Sequence, residues 1–275
     1  MQGRLTQPKG RGIQFFPFDN WENEFFSAQK IGLEEIEFIF DYDKYTQNPL
    51  WTKEGIETIR ELKKKTGIQV NVVCFDYFMR RPFYKSDLKE QSLIKKENTE
   101  ILEKVLLAMK ELEIGLIEIP LVDASSLKNN QEKLAFQEWL LGIVDREDTS
   151  IRFGLETDLK PKDFLEYIEG FYNPRVGANY DSGNSSGIGY DLYEEVTTLR
   201  DHIFNIHIKD RVYQGTTVPL GTGSADFEQL FKGLSEIGYS HNFILQAARG
   251  DEGKEEDNIS AQMKFVCEYI EKYNV

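Results

Sequence analysis

Residues 151–156 read IRFGLE, a short apolar run that closes on a glutamate. The following part of the chain repeats this arrangement, because RVGANYD (175–181) closes on an aspartate and IFNIHIKD (203–210) carries a histidine near its end. Each run has the length and composition of a strand, and each leads into a helix-like stretch. Strands that alternate with helices build a parallel sheet, so this repetition decides the fold class.

Strand-like runs of the same kind lie on both sides of this stretch: LEEIEFIF from Leu33, IQVNVVCF from Ile68, LIEIPLVD from Leu116 and NFILQ from Asn242. Several are almost continuously apolar, which is typical of strands with both faces covered. Helical patterns separate the runs. Gly32, Gly67 and Gly115 each stand where a left-handed residue would end a helix just before the next strand.

The chain has 275 residues, and an α/β barrel commonly uses about 250 residues for one domain. No linker or low-complexity segment divides it. We therefore predict a single (β/α)8 TIM barrel over residues 1–275. Only MQGRL is available for a strand ahead of the first helix. That first strand is either very short or truncated, the natural start then lying upstream of Met1.

Composition and charge exclude several classes of protein. The net charge of −14 argues against nucleic acid as the main partner, because phosphate backbones are bound by Lys and Arg. No apolar run approaches the roughly 20 residues that cross a membrane. The polar N-terminus lacks the apolar core of a signal peptide, so we expect a cytoplasmic protein. The two cysteines lie in apolar or helical patterns, which disfavours a disulfide framework.

Four polar residues stand at or near the ends of the last four strand-like runs: Glu156, Asp181, His207 and Gln246. A closed parallel barrel collects its strand ends on one face, so residues this distant in sequence converge. Two carboxylates, an imidazole and an amide oxygen suit one divalent metal ion. Singly, Glu156 could form a salt bridge to Lys209 or Arg211, and Asp181 could form a turn in DSGNSSG. By strand alternation, Lys209 should point away from His207.

An ordered set of motifs resembles a known family: QGRL, IQFFPFDNW, DYFM, IPLVDASS, LETD, NYDSGN, HIKDR and PLGTGSADF. The resemblance is to the xylose-isomerase-like TIM-barrel superfamily. It is greatest to the sugar-phosphate isomerase and epimerase branch, which includes L-ribulose-5-phosphate 3-epimerase and D-tagatose 3-epimerase. The likeness runs over nearly the whole chain, and the motifs are specific as a set rather than singly.

The resemblance implies one divalent metal, often manganese, held by Glu, Asp, His and Glu at the ends of the fifth to eighth barrel strands. Those positions are Glu156, Asp181, His207 and Gln246, and the last is a departure from the family. Family members often place a substrate-contacting His where this chain has Asn184. A basic residue after the His ligand commonly contacts substrate, and Arg211 is the candidate here. The resemblance also implies a homodimer, although no interface can be identified in the sequence.

The chemistry that follows is proton abstraction beside a carbonyl. With a metal bridging the carbonyl and hydroxyl of a ketose, Glu156 takes the proton and leaves a metal-bound cis-enediolate. Return of the proton to the opposite face gives epimerisation, and return to the neighbouring carbon gives isomerisation. Gln246 carries no proton in either role. Epimerisation would need a second acid, such as water or Asp158, so the glutamine slightly favours isomerisation.

Further substrate contacts are expected at the barrel mouth. Arg4, Arg211 and Arg249 lie near strand ends and could bind a phosphate or carboxylate, with surface ion pairs as the equal alternative. Asp123 could accept a hydrogen bond from a substrate hydroxyl. The loop 221–224, GTGS, precedes a helix and could bind an anion, yet it also occurs in family members that act on unphosphorylated sugars.

We therefore expect a metal-dependent isomerase or epimerase of a small sugar or sugar phosphate. Manganese is favoured because oxygen ligands predominate, with zinc, cobalt and magnesium as alternatives. A second hypothesis is a barrel that kept its sugar site and lost turnover with its fourth acid. A third is a metal-dependent lyase or dehydratase of the same superfamily.

Overall fold

The computed structural model describes residues 1–10, 12–146 and 150–275. Ten helices lie in these ranges: α1 Trp21–Ile31, α2 Lys53–Thr66, α3 Tyr77–Arg80, α4 Leu88–Glu111, α5 Asn130–Val144, α6 Pro161–Glu169, α7 Ser182–Ile188, α8 Leu192–Leu199, α9 Phe227–Ile237 and α10 Glu255–Tyr273. Nine strands accompany them: β1 Phe38–Ile39, β2 Val72–Cys74, β3 Leu116–Leu121, β4 Arg152–Thr157, β5 Val176–Asp181, β6 Ile203–Ile208, β7 Asp210–Arg211, β8 Thr217–Val218 and β9 Phe243–Leu245.

Seven of the strands form one parallel sheet in the order β1-β2-β3-β4-β5-β6-β9. All seven were predicted from their apolar runs. The sheet follows the chain order because each strand is joined to the next by a helical segment that packs on its outer face. The remaining two strands, β7 and β8, form a small antiparallel hairpin inserted after β6. This hairpin carries Arg211 to the carboxyl end of the barrel.

The N-terminal residues lie between the two edges of this sheet. Gln2 forms a parallel bridge with Glu37, and the Glu37 amide donates to the Met1 carbonyl at 2.9 Å. On the other side, the Gln2 amide donates to the Leu245 carbonyl at 3.2 Å. The expected first strand is thus reduced to a single bridge, and the chain forms the predicted (β/α)8 TIM barrel.

Both faces of the sheet are covered. All six residues of β3 are buried, and so are all six of β5 and all six of β6. The side chains that face the helices are mainly apolar, whereas Glu37, Glu118, Asn179, Asn205 and His207 are buried polar residues of the strand segments. Buried polar groups require partners, so the strands carry a polar network as well as a core.

Two of the three predicted glycine helix stops are confirmed. Gly32 and Gly67 follow α1 and α2 with φ of 82° and 77°, the left-handed conformation that glycine adopts without strain. The prediction for Gly115 is wrong, because α4 ends at Glu111 and the positive φ of 59° falls on Glu113 instead. None of the described helices is both long enough and apolar enough to cross a membrane.

Candidate active site

The four polar strand-end residues converge at the carboxyl end of the sheet. Glu156 lies in β4, Asp181 ends β5, His207 lies in β6, and Gln246 directly follows β9. Asp181 is the register partner of His207, so neighbouring strands place these two side by side. None of the four residues is more than 5% exposed. The parallel order of the strands is therefore what gathers them.

Glu156, Asp181 and His207 form what we call the acidic cluster. His207 Nδ1 lies 3.2 Å from Glu156 Oε2 and 4.0 Å from Asp181 Oδ2. One ligand atom from each residue lies within 4.8 Å of the other two. Metal bonds to oxygen or nitrogen are about 2.0–2.6 Å long, so two donors on one ion are at most about 4–5 Å apart. The acidic cluster therefore fits one divalent ion in both spacing and donor chemistry.

Gln246 borders the acidic cluster through the nitrogen of its amide. Its Nε2 donates to Gln2 Oε1 at 2.9 Å and lies 3.3 Å from His207 Nδ1. Its Oε1 accepts from Lys209 Nζ at 2.8 Å. Because an amide binds metals only through oxygen, Gln246 would have to give up Lys209 to become a fourth ligand.

Glu37 holds the opposite side of the His207 ring. Both Glu37 oxygens lie 3.0 Å from His207 Nε2, and they also accept from Gln2 and Asn205. Burial alone lowers the pKa of His207, but Glu37 and Glu156 outweigh it and raise that pKa well above its usual value. A carboxylate behind an imidazole fixes the ring for ligation. Sequence analysis missed Glu37 because it lies inside a strand run rather than at its end.

Two further carboxyl groups that sequence analysis did not assign to the site line the same cavity. Glu118 is 1% exposed, and neither of its oxygens has a hydrogen-bond partner among the described residues. Burial, reinforced by Glu156, raises the pKa of Glu118 well above its usual value. Burial, followed by Asp41 and Glu156, raises the pKa of Asp76 to about 7. Asp76 follows β2, so the rule that selected the other strand-end residues could have found it.

A cavity of about 690 Å³ opens onto these residues. Its volume lies in the range of about 300–1,000 Å³ typical of small-molecule sites. Acidic groups on its lining are Asp76, Glu118, Asp123 and Glu156, and basic groups are Arg80, Lys209 and Arg211. The cavity can thus receive a polar molecule that carries both hydroxyl and anionic groups.

The segment DSGNSSG (181–187) supplies the N-cap and the first six residues of α7 beside this cavity. Asp181 Oδ1 accepts from the Asn184 amide at 2.8 Å, so this aspartate caps a helix instead of forming the turn considered for DSGNSSG, and it also belongs to the predicted cluster. Asn184 Nδ2 donates to Glu156 Oε1 at 2.6 Å, and Asn184 Oδ1 accepts from Arg211 at 3.2 Å. Asn184 and Arg211 both line the cavity, and their contact with a substrate stays a prediction.

The expected orientation of Lys209 is wrong. Its Nζ lies 3.2 Å from Asp181 Oδ2, 3.1 Å from Asn184 Oδ1 and 2.8 Å from Gln246 Oε1. The prediction misapplied strand alternation, because residues two apart in an extended segment, such as His207 and Lys209, point to the same side. The alternative pairing of Glu156 with Lys209 is replaced by a pairing of Lys209 with Asp181.

Of the other predicted substrate contacts, Asp123 lines the cavity, whereas Arg4 and Arg249 donate to backbone carbonyls. Arg4 donates to the carbonyls of Ala247 at 3.0 Å and Gln2 at 2.9 Å. Arg249 donates to the carbonyls of Ile13, Thr6 and Gly3 at 2.7–2.9 Å. Their strand-end positions thus serve the closure of the barrel.

Two secondary expectations are also answered by specific contacts. Asp158, the suggested second acid, accepts from Ser126 at 2.6 Å and from Lys128 at 2.8 Å. In the GTGS loop, the amides of Gly221 and Gly223 donate to Asp210 Oδ2 at 3.0 and 2.8 Å. A carboxylate of the chain itself therefore already occupies the anion-binding position of this loop.

Comparisons with known proteins agree with this architecture. The sequence model of a family described as xylose isomerase-like TIM barrel matches residues 25–269. The L-ribulose-5-phosphate 3-epimerase UlaE of Salmonella heidelberg (strain SL476) is 23% identical over 240 residues, covering 82% of this chain and 81% of that protein. The family match over residues 25–269 includes Glu156, Asp181, His207 and Gln246.

Two solved structures show the same fold at low identity. A structure described as L-ribulose 3-epimerase superposes with a TM-score of 0.76 and 14% identity, covering 100% of this chain and 94% of that one. The IOLI protein, described as binding a zinc atom, superposes with a TM-score of 0.70 and 20% identity, covering 92% of each chain. Likeness at this level of identity establishes the architecture of the chain.

Proposed function

We propose that this chain, which belongs to the xylose isomerase-like TIM-barrel family, is a metal-dependent isomerase or epimerase of a small sugar or sugar phosphate. The observation that carries the proposal is the acidic cluster, whose donor atoms lie within 4.8 Å of one another beside a cavity that several charged residues line. Relatives named L-ribulose-5-phosphate 3-epimerases support ketose phosphates as the first substrates to test. Manganese is the proposed metal. The cytoplasmic location and the homodimer stay predictions.

A divalent ion held by Glu156, Asp181 and His207 would supply Lewis acidity that makes the C–H beside a ketose carbonyl removable as a proton. Glu156 is the cluster carboxylate that lines the cavity, and it is the base that takes this proton. Asn184 orients Glu156 through a 2.6 Å hydrogen bond to Oε1. Glu37 holds the His207 ring from behind, so the cluster is positioned before a substrate arrives.

The destination of the proton decides between the two reactions. Glu156 alone can return it to the neighbouring carbon, which is isomerisation. Epimerisation needs a donor on the opposite face, and Gln246 cannot donate a proton in that sense. Asp76 and Glu118 line the same cavity, and burial raises the pKa of each, that of Asp76 to about 7, which favours the protonated form of both carboxyl groups. These two acids are the proposed second donors, in place of water or Asp158.

A sugar-binding barrel without turnover is the second candidate function. Two features favour this candidate. Gln246 stands where the family has a fourth acid, and the Lys209 ammonium binds Asp181 and Gln246 directly. A lyase or dehydratase would share the base Glu156 but would release water or a fragment. All three classes are separated by what happens to a substrate proton.

The test is solvent-deuterium incorporation in D2O with Mn2+, over a panel of ketoses and ketose phosphates followed by NMR. Wild-type protein should place deuterium at the carbon beside the carbonyl of at least one substrate and convert it to an isomer or epimer. Glu156→Gln should lower this exchange by roughly 10²–10⁴-fold, the usual contribution of a general base. Glu166→Gln, an exposed glutamate of α6, is the matched control and should exchange normally.

Unchanged exchange in Glu156→Gln would remove Glu156 as the base. Binding of a sugar without any exchange would favour the second candidate. Exchange accompanied by release of water or a smaller fragment would indicate the lyase or dehydratase class.

A further inference from the structure

Lys209 places a positive charge against the donors proposed for the metal. Its ammonium lies 3.2 Å from Asp181 Oδ2 and 2.8 Å from Gln246 Oε1, both of which belong to the predicted ligand set. A third oxygen, Asn184 Oδ1, lies 3.1 Å away. One side-chain cation is thus bound by oxygens from two segments of the barrel, the junction of β5 with α7 and the residue that follows β9.

The local sequence is built to admit this side chain. Lys209 follows the last residue of β6, so its stem can turn across the end of the sheet. Gly183 of α7 faces that stem, and a Cβ there would clash with Cβ and Cγ of Lys209. Ser182 fixes the backbone on both sides of the stem, since its hydroxyl donates to the Lys209 carbonyl and accepts from the Lys209 amide. The position of Lys209 is therefore defined by packing as well as by charge.

The ammonium is saturated by these contacts. A lysine has three N–H donors, and three oxygens lie within 3.2 Å of Nζ. The Lys209 side chain is only 14% exposed, and that of Asp181 is 1% exposed. A largely buried ammonium is costly unless it is paired, so its removal from these oxygens has a real free-energy cost.

A metal ion would need the same atoms. Asp181 Oδ1 is occupied in capping α7, so Oδ2 is the oxygen available to an ion, and Oδ2 is the atom that Lys209 binds. Gln246 offers only Oε1, which Lys209 also binds. Gln246 is neutral, so the proposed ligands carry two negative charges, one on Glu156 and one on Asp181. These two charges balance a divalent ion alone, but not a divalent ion together with the Lys209 ammonium.

We propose that Lys209 is an internal cation that competes with the divalent metal for Asp181 Oδ2 and Gln246 Oε1. The inference rests on the metal site of the proposed function. The metal therefore binds only when the ammonium leaves these two oxygens, and the affinity of the wild-type site is lowered by that cost. Lys209 is a positioning residue in this scheme, because it acts through the ligands rather than on a substrate.

The test is calorimetric titration of Mn2+ into the full-length wild-type protein and into Lys209→Met, without any substrate. Loss of charged hydrogen bonds of this kind should tighten Mn2+ binding by about tenfold or more in Lys209→Met. Lys128→Met is the matched control, because Lys128 also pairs with an aspartate, Asp158, at 2.8 Å but lies outside the ligand set. Its Mn2+ affinity should equal that of the wild type.

Lys209→Gln, which keeps most of the side-chain length without the charge, repeats the test if Lys209→Met fails to fold by circular dichroism. Equal or weaker Mn2+ binding in a folded Lys209 variant, beside measurable binding in the wild type, would overturn the competition and leave the proposed function standing. Binding in neither protein would overturn both. Binding in the variant with little or none in the wild type would support the competition most strongly.

Discussion

Two regions of the barrel place charged residues at strand ends, and they use them in opposite ways. In the acidic cluster, Glu156, Asp181 and His207 face one another as side chains beside the cavity. In the second region, which we call the arginine seam, Arg4 and Arg249 donate to backbone carbonyls that join the N-terminal segment to the segment after β9. The first region gathers donors for a ligand, and the second closes the sheet.

The difference teaches that position at a strand end is not sufficient for a role in a site. What distinguishes the two regions is the partner of each charge. The arginines satisfy backbone groups of a segment that has only a single bridge to β1, so their hydrogen bonds replace a missing strand ladder. Each cluster carboxylate has at least one side-chain partner, which can be exchanged for an ion or a substrate.

The largest effect expected from the arginine seam is on stability. Arg4→Met leaves the carbonyls of Gln2 and Ala247 without these donors, so we expect the free energy of unfolding to fall by about 2–4 kcal/mol. Urea denaturation measures this loss. Arg200→Met, on an exposed arginine that donates to the Thr197 carbonyl, is the control and should change stability by less than about 0.5 kcal/mol.

Arg4→Met also sharpens the comparison, because sequence analysis assigned Arg4 to substrate binding. A seam residue should leave KM unchanged at temperatures where the variant is folded. An increase in KM with normal stability would restore the substrate-binding role and contradict the division into two regions.

A smaller effect is expected at the cavity carboxyl Asp76. Its pKa is raised from 3.8 to about 7 by burial, then by Asp41 and Glu156, so the folded state binds the proton more tightly than the unfolded state does. Stability from this group is therefore present below pH 4 and is lost as the pH rises to about 7. The Asp76→Asn side chain does not ionise, so the variant does not lose this stability. We expect its free energy of unfolding relative to that of the wild type to be about 1–2 kcal/mol higher at pH 8 than at pH 4.5.

Urea denaturation of both proteins at the two pH values measures this difference. Both proteins share the other titrating groups, so the contributions of those groups cancel when the variant is compared with the wild type. The same stability difference between the variant and the wild type at pH 4.5 and at pH 8 would show that Asp76 is not perturbed by its site.

Much of the fold could be predicted from the sequence, because strands buried on both faces leave apolar runs of limited length. The strand ends after these runs also located Glu156, Asp181 and His207. The closing strand was predicted only as short, since a single bridge at Gln2 leaves no pattern. Gly115 was wrongly predicted to end α4. The helix already ends at Glu111, so the left-handed residue is Glu113 and not the glycine.

The rest of the site depends on side-chain directions that cannot be inferred from the pattern of the sequence. Glu37 and Glu118 lie within apolar runs, where one acidic residue looks the same whether it faces the barrel interior or solvent. Lys209 is an exception, because it lies two residues after His207 and strand alternation, correctly applied, places both side chains on the same side. Whether Arg4 meets a ligand or a carbonyl depends on the path of a distant segment, and that path is visible only in three dimensions.

The central claim is that Glu156, Asp181 and His207 hold one divalent ion. The most direct measurement is anomalous diffraction from crystals of the wild-type protein and of Asp181→Asn grown with Mn2+. Asparagine still caps α7, so the variant isolates the loss of a charged ligand. The account predicts one strong manganese peak bounded by the three side chains in the wild type, and a much weaker peak or none in the variant. A wild-type map without a peak there, or with manganese bound elsewhere, would contradict it.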